Sequence, residues 1–369
     1  MIDLISTGLI YSNPSLHLTS RQAFHPSLVS HGDSELTCSF DLGEAVESLD
    51  YRTYLSRSTD GGDTWHFEGP VFEDTSKRAS THTIRTSLVS GGDMVGFGAR
   101  FYRDDPEEGL TNRGTFGFVP MDLFLLRSDD KGKTWAGPEE LLPPLVGPAF
   151  EMCHSILELP EGRWLAPTAT WRGWDGEKPS GEKAMVLISE DLGQSWPEYG
   201  VSFDAEEEDV VHWEQSITPL ADGRLLAISW VHDTNTGQNL PTPYSFSEDG
   251  GKTFSAPRPT GLHGQTSKAI QLSDERILCI YRRDDRPGLW ANLSGIDGTK
   301  WVNESELPLW GAGLSDSGMT GAGGSSEELS ALKFGYPSPI QTSPGEVLVA
   351  FWCLEGWSCN IRWIRLRVN

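Results

Sequence analysis

Four copies of one eight-residue pattern constrain what this chain can fold into. Ser58–Trp65, Ser128–Trp135, Ser189–Trp196 and Ser247–Phe254 all read Ser-x-Asp-x-Gly-x-Thr/Ser-Trp/Phe. A worn fifth copy runs from Ser294 through Gly298 to Trp301, with Ile296 where the others carry Asp. A unit recurring at intervals of roughly 50–70 residues marks a propeller, solenoid or array.

The pattern is a turn with its own chemistry. Asp accepts backbone N–H groups, and Gly supplies positive φ at little steric cost. Thr or Ser re-enters a strand, and the aromatic ring fills the space between neighbouring units. This is the Asp-box. The chain resembles the sialidase-like (BNR/Asp-box repeat) superfamily of β-propellers, and the boxes themselves are read as hairpin staples with no catalytic part.

Around the boxes, short β-rich runs are separated by Gly, Asp and Pro, and helical periodicity is weak. Each unit repeats one order: an apolar run, a turn such as Asp222-Gly223-Arg224, two more strands, the box and a fourth strand. The expected fold is therefore all-β, a six-bladed β-propeller made from the whole chain, residues 1–369. Five blades carry boxes. A sixth, box-free, runs from Phe334 to Arg367, and the N-terminal run Leu4–Ile10 adds its missing strand and closes the ring. The Gly/Ser-rich stretch from Gly311 to Ser326 reads as a surface loop.

First strands of propeller blades line the axis, and their opening residues face one rim. We aligned the six runs on Ser27, Ser87, Ser155, Ser216, Ala269 and Ser338. Two positions earlier stand His25, Arg85, Cys153, Glu214, Ser267 and Tyr336; one position earlier stand Pro26, Thr86, His154, Gln215, Lys268 and Pro337. Core strands do not ordinarily open on so many ionisable groups, so the rim is expected to hold a polar pocket. Trp171, Trp174, Trp213 and Trp230 follow or flank inner strands near the same rim, as stacking rings do in sugar sites.

The resemblance extends to chemistry. Sialidase-like enzymes pair a nucleophilic Tyr with a Glu at the centre. Tyr336, within Phe334–Ser338, is similar to the segment holding the Tyr, and Glu214, within His212–Ser216, to the segment holding the Glu. A phenol is a poor nucleophile at neutral pH, and a carboxylate within reach can take its proton. Tyr-nucleophile sialidases are exceptions to the two-carboxylate scheme of glycoside hydrolysis. The resemblance places an acid/base in the loop Asp41–Asp50, with Glu47 nearest the family position and Asp50 next. It also implies three arginines clamping a substrate carboxylate. Here the pattern departs: where the first clamp arginine belongs, the chain reads Ala23-Phe24-His25-Pro26, and Arg21 is out of register. Arg282 and Arg283 resemble a later clamp segment, and Arg85 is a basic rim group that could compensate. Arg103 and Arg113 lie in a loop of blade two.

These residues imply an exo-acting glycoside hydrolase on a terminal acidic or unusual sugar rather than ordinary sialic acid. The alternatives are a glycan-binding propeller without catalysis, or a lyase using His25 or His154 with Tyr336 as acid and base. His25, His154, Lys268 and Trp213 join Arg85, Arg282 and Arg283 as expected substrate-binding residues. The expected partner is a carbohydrate, and the oligomeric state stays open. A formal net charge of −24 disfavours nucleic acid and anionic membranes. No metal or phosphate motif and no dinucleotide fingerprint occurs, so no cofactor is expected. The five cysteines include no CxxC and read as buried thiols. The start Met1–Ile5 has neither a basic nor a long apolar segment, so the chain reads as cytoplasmic, or as secreted if a leader has been removed.

Overall fold

The structure, a computed structural model, describes residues 1–204, 209–313 and 332–369. The loop read from Gly311 to Ser326 therefore lies, beyond residue 313, outside the described residues. Six antiparallel sheets follow one another around the ring. Blade one is Gln22–Ser30, Leu36–Gly43, Arg52–Ser58 and His66–Pro70; blade two is Ser80–Leu88, Met94–Tyr102, Met121–Ser128 and Ala136–Leu141. Blade three has a broken inner strand, Ala149–Phe150 and Leu157–Glu158, then Trp164–Trp171, Ala184–Ser189 and Glu198–Phe203. Blade four is Val210–Pro219, Leu225–Asp233, Pro243–Ser247 and Arg258–Pro259, with Gln238–Leu240 as an extra short strand. Blade five is Gly264–Gln271, Ile277–Arg283, Leu289–Asp297 and Lys300–Trp310.

Blade six is Phe334–Ser343, Glu346–Glu355 and Ser358–Val368, and its outer strand is the N-terminal Ile2–Tyr11. That strand pairs from Ile2 opposite Val368 to Tyr11 opposite Ile361. The first and last strands of the chain thus share a sheet, which clasps the ring. Hydrophobic clusters fill each seam between neighbouring blades: Phe40 and Trp363 lie in one, Phe97 and Leu187 in another, Ile228 and Cys279 in a third. All five cysteines are buried and free. Among the described residues, no helix is long and apolar enough to cross a membrane.

The four intact boxes share one geometry. Asp60 Oδ1 accepts the Thr64 N–H at 3.0 Å and its Oδ2 accepts the Thr64 hydroxyl at 2.5 Å; Ser58 Oγ accepts the Gly62 N–H at 2.9 Å. Asp130, Asp191 and Asp249 repeat these bonds. Gly62 sits at φ 95°, and a Cβ there would meet Leu348 of blade six at 2.8 Å. Glycine is required both by the turn and by the close approach of the next blade. The worn fifth copy has lost the box: Asp297 pairs directly with Lys300 across a two-residue turn, and Asn303 accepts from Ser294 and Trp301. Every box joins the third strand of its blade to the fourth, so all lie at the end of the propeller opposite the openings of the inner strands.

Candidate active site

At four of those openings the chain does something L-residues rarely do. The inner strands slip register between Phe24 and Ser27, Trp213 and Ser216, Gln265 and Lys268, and Gly335 and Ser338. Inside each slip one non-glycine residue adopts a left-handed backbone: His25 at φ 52°, Glu214 at 48°, Thr266 at 52° and Tyr336 at 49°. Such a bulge re-aims a side chain that regular pleating would send into the blade, and strain of this kind concentrates at functional sites. Blade two keeps an unbroken register through Arg85, and blade three has no inner strand between 150 and 157.

The bulges correct the alignment in blade five. The residue equivalent to Ser27, Ser216 and Ser338 is Lys268 rather than Ala269. Thr266, not Ser267, therefore faces the rim, and Lys268 lies one step further down the channel.

The re-aimed residues meet in a cavity of about 230 Å3 on the axis. Of the residues singled out from sequence, it is lined by His25, Glu47, Arg85, Cys153, Trp171, Trp213, Glu214, Trp230, Arg282 and Tyr336. Arg85, Cys153 and Tyr336 also line a second cavity on the far side, together with His154 and Lys268. These three residues are thus the floor between the two, and the first cavity is blind.

The floor is tightly bonded. Tyr336 donates its hydroxyl to the Cys153 carbonyl at 2.5 Å and accepts from Arg85 Nε at 3.1 Å. The same carbonyl accepts Lys268 Nζ at 2.5 Å from below, and that ammonium lies 5.1 Å from the Tyr336 ring centre. Burial pushes the Tyr336 phenol well above its usual pKa, against the pull of the Arg85 charge. Its hydroxyl makes no hydrogen bond to Glu214, contrary to the contact that a Tyr–Glu couple implies; its one O–H is already given to the Cys153 carbonyl. Glu214 acts on it through space, and its charge raises the phenol further.

Glu214 is one of three carboxyls that line the cavity, with Glu151 beside it and Glu47 at the edge. Its backbone N–H faces both oxygens of Glu151, and its own Oε2 is enclosed without a partner. Burial, with the charge of Glu214, pushes Glu151 up to about 8. Burial raises Glu214 too, opposed by Arg282 and Lys268. The rim alignment missed Glu151 because it compared only one and two positions before each pivot, and Glu151 stands four before Ser155.

Asp41, read only as the first residue of an acidic loop, is the hub behind the cavity. It is fully buried. It accepts Thr53 and Thr83 hydroxyls at 2.6 and 2.7 Å and Arg85 Nη1 at 3.0 Å, and His25 Nδ1 lies 3.2 Å away. Burial alone would raise its pKa, but Arg85 and His25 hold the carboxyl below the ordinary range.

Four expected site residues fall outside this cavity. Asp50 staples its own loop, accepting the Glu44 N–H and the Ser48 hydroxyl. Arg283 pairs with Asp285 and Glu306. It follows Arg282 on one strand, so the pleat sends the two to opposite faces. His154 and Lys268 lie beneath the floor, where burial lowers both pKa values, His154 to about 3. Nor do Trp174, Arg103 or Arg113 line the cavity; Arg103 holds the carbonyls of Glu47 and Glu108. Arg282 does line it, but bonds Gln265 and the Phe334 carbonyl, and burial lowers it to about 10. Phe24 packs on Trp352, their ring centres 5.0 Å apart.

The wall is aromatic. Trp213 lies between Trp171 and Trp230, with ring centres 5.3 and 4.7 Å away. Glu47 reaches the cavity edge and accepts the Leu110 N–H at 2.9 Å.

A family model described as a BNR repeat-like domain matches residues 112–349. None of the curated proteins matches the sequence. Among solved structures, a Dyadobacter fermentans protein of unknown function shares 22% identity at a TM-score of 0.74, covering 100% of this chain and 99% of its own. A leech intramolecular trans-sialidase complexed with 2,7-anhydro-Neu5Ac shares 13% identity at 0.68, covering 98% and 70%. The intramolecular trans-sialidase of Ruminococcus gnavus shares 14% at 0.66, covering 95% and 96%. At such identities the likeness is one of fold, and it agrees with the six blades described above. With the family model matching well over half of its length, the chain belongs to the BNR repeat-like domain family and has the six-bladed sialidase-like propeller fold.

Proposed function

We propose that the protein is an exo-acting glycoside hydrolase that removes a terminal sugar other than ordinary sialic acid, with Tyr336 as the nucleophile. The observation that carries this reading is a phenol held by Arg85 and the Cys153 carbonyl at the bottom of a blind, tryptophan-walled cavity. A blind cavity suits a chain end rather than a chain interior. Glu214, with an enclosed and unpartnered carboxyl oxygen, is the group that takes the phenolic proton as Tyr336 attacks. Substrate entry must first loosen the bond from Tyr336 to Cys153.

The missing clamp argues against ordinary sialic acid. Arg85 is committed to Asp41, Arg283 faces away, and Arg282 is bonded within the wall. A panel of chromogenic glycosides, including sialosides and other acidic sugars, tests the reading when run beside Tyr336→Phe. Turnover of one glycoside by the native chain, lost in the variant, is expected. Equal turnover by both would remove Tyr336 from the mechanism.

A further inference from the structure

A glycosidase that uses a neutral nucleophile still needs a group to protonate the departing oxygen and later to deprotonate water. The acidic loop of blade one offers no free candidate for this. Asp50 is outside the cavity, and the Glu47 carboxylate is engaged by the Leu110 N–H. The bulges point elsewhere. Glu214 and Tyr336 occupy the left-handed position of blades four and six, and in blade one that position belongs to His25.

His25 is oriented from behind. Its Nδ1 lies 3.2 Å from Asp41 Oδ2 and 3.0 Å from the Tyr51 hydroxyl, while Nε2 has no hydrogen-bond partner among the described residues. Its ring meets the Tyr336 ring edge-on, with centres 5.0 Å apart and planes at 75°. A buried carboxylate beside Nδ1 keeps a proton there in the neutral ring and supports the imidazolium when it forms. The Nε2 edge is then left for the cavity that His25 lines. Asp41 also carries Arg85, which holds the Tyr336 hydroxyl. One buried carboxylate therefore sets the position of both the imidazole and the phenol.

We propose that His25 is the proton-transfer group of this site, with Asp41 as its positioning residue; this rests on the hydrolase reading above. In the first step the Tyr336 oxygen bonds the anomeric carbon as the glycosidic C–O bond breaks. Burial lowers the pKa of the resting imidazole, so the neutral ring first takes a proton from solvent onto Nε2; the imidazolium then gives that proton to the departing oxygen, and the phenolic proton passes to Glu214. In the second step Nε2 takes a proton from water as its oxygen bonds the same carbon. The bond to Tyr336 breaks, and the phenolate recovers its proton from Glu214. Both steps balance, and the site returns to its starting protonation once Nε2 releases its proton to solvent.

The test is His25→Gln, with a melting curve to check folding, on two glycosides of whichever sugar the panel selects. One carries 2,4-dinitrophenol, which departs without a proton; the other carries 4-methylumbelliferone, which departs less readily. The variant is expected to lose about 10²-fold or more on the umbelliferyl glycoside and far less in cleaving the dinitrophenyl bond. Azide should restore its turnover by replacing activated water, with a glycosyl azide as product. Equal losses on both glycosides with no azide effect overturn the proposal; the full pattern in Glu47→Gln, but not in His25→Gln, assigns the role to Glu47. If the native chain cleaves no glycoside, the hydrolase reading fails by itself. Nitrogen-15 spectra of the imidazole then judge His25 separately: a neutral ring protonated on Nδ1, changed by Asp41→Asn, is expected, and one protonated on Nε2 overturns the assignment.

Discussion

The backbone N–H of Glu214 points at the carboxyl of Glu151, 3.0 and 2.9 Å from its two oxygens. The contact ties blade four to the gap in blade three and sets two carboxyls side by side. Burial and the Glu214 charge push Glu151 up to about 8, so in the folded chain it holds a proton through neutral pH. An unfolded Glu titrates near 4.3. The folded state therefore binds more protons between these values. The contribution of Glu151 to stability is complete below pH of about 4 and is lost as pH rises through about 8. Melting temperatures at pH 5 and pH 8 should show this loss in the native chain and a smaller one in Glu151→Gln. An identical pH dependence in both would contradict the assignment.

Tyr336→Phe separates chemistry from folding. The ring stays between His25, Arg85 and Lys268, and only the hydroxyl is lost. Two hydrogen bonds disappear, each worth about 0.5–1.5 kcal/mol net. The fold should survive with a loss of about 1–3 kcal/mol in urea unfolding, while turnover of the selected glycoside falls to background. A folded variant that turns over at the native rate would remove the tyrosine from the chemistry.

The fold was legible because its signal is local. Each Asp-box bonds its own backbone within eight residues, so four copies announce four hairpins without any knowledge of the rest. The box-free sixth blade and the clasping strand Ile2–Tyr11 follow from the need to close the ring. Tyr336 and Glu214 could be read from their segments, and Arg282 from its strand. The bulges could not. Nothing in Gln265–Lys268 says where the register slips, so a one-residue error placed Ser267 at the rim and raised Lys268 from beneath the floor. Glu151 was hidden for a related reason: where the inner strand of blade three is broken, no pleat dictates which residue faces the axis. Arg283 was a pattern that went unused, since adjacent residues of a strand cannot share a face. Asp41 looked like a loop carboxylate because its four donors come from His25 and Thr53, within its own blade, and from Thr83 and Arg85 in the next.

The boxes make the propeller acid-sensitive. Hydrogen bonds from the Thr134 side chain and backbone hold Asp130 down to about 2, and Asp60 and Asp191 are held there by Thr64 and Ser195. An unfolded Asp titrates near 3.9. The folded state therefore binds fewer protons between these values. The contribution of each box is present above pH of about 4 and is lost as pH falls through about 2. Asp130→Ala should melt below the native chain at pH 7, and the gap should narrow between pH 4 and pH 2. At a permissive temperature the variant should keep its kcat/KM, because the boxes lie at the end opposite the cavity.

The two adjacent arginines of blade five give the sharpest test of the missing clamp. Arg282 lines the cavity beside Glu214, whereas Arg283 pairs with Asp285 and Glu306 on the other face. Arg282→Gln should weaken binding of the selected sugar by about tenfold, equivalent to roughly 1.4 kcal/mol. Arg283→Gln should leave kcat/KM within about twofold and cost about 1 kcal/mol of stability, since its partners are partly exposed. Neither of the cavity arginines, Arg282 and Arg85, supplies a free fork for a carboxylate: Arg282 Nε and Nη2 both bond Gln265, and Arg85 Nη1 is held by Asp41. Phe24 stands in the sequence where the first clamp arginine belongs, and it is packed on Trp352. A simple sialoside should accordingly be among the slowest members of the glycoside panel. Its efficient hydrolysis, retained in Arg282→Gln, would show that a carboxylate is held by groups other than these arginines and would sink the argument from the missing clamp.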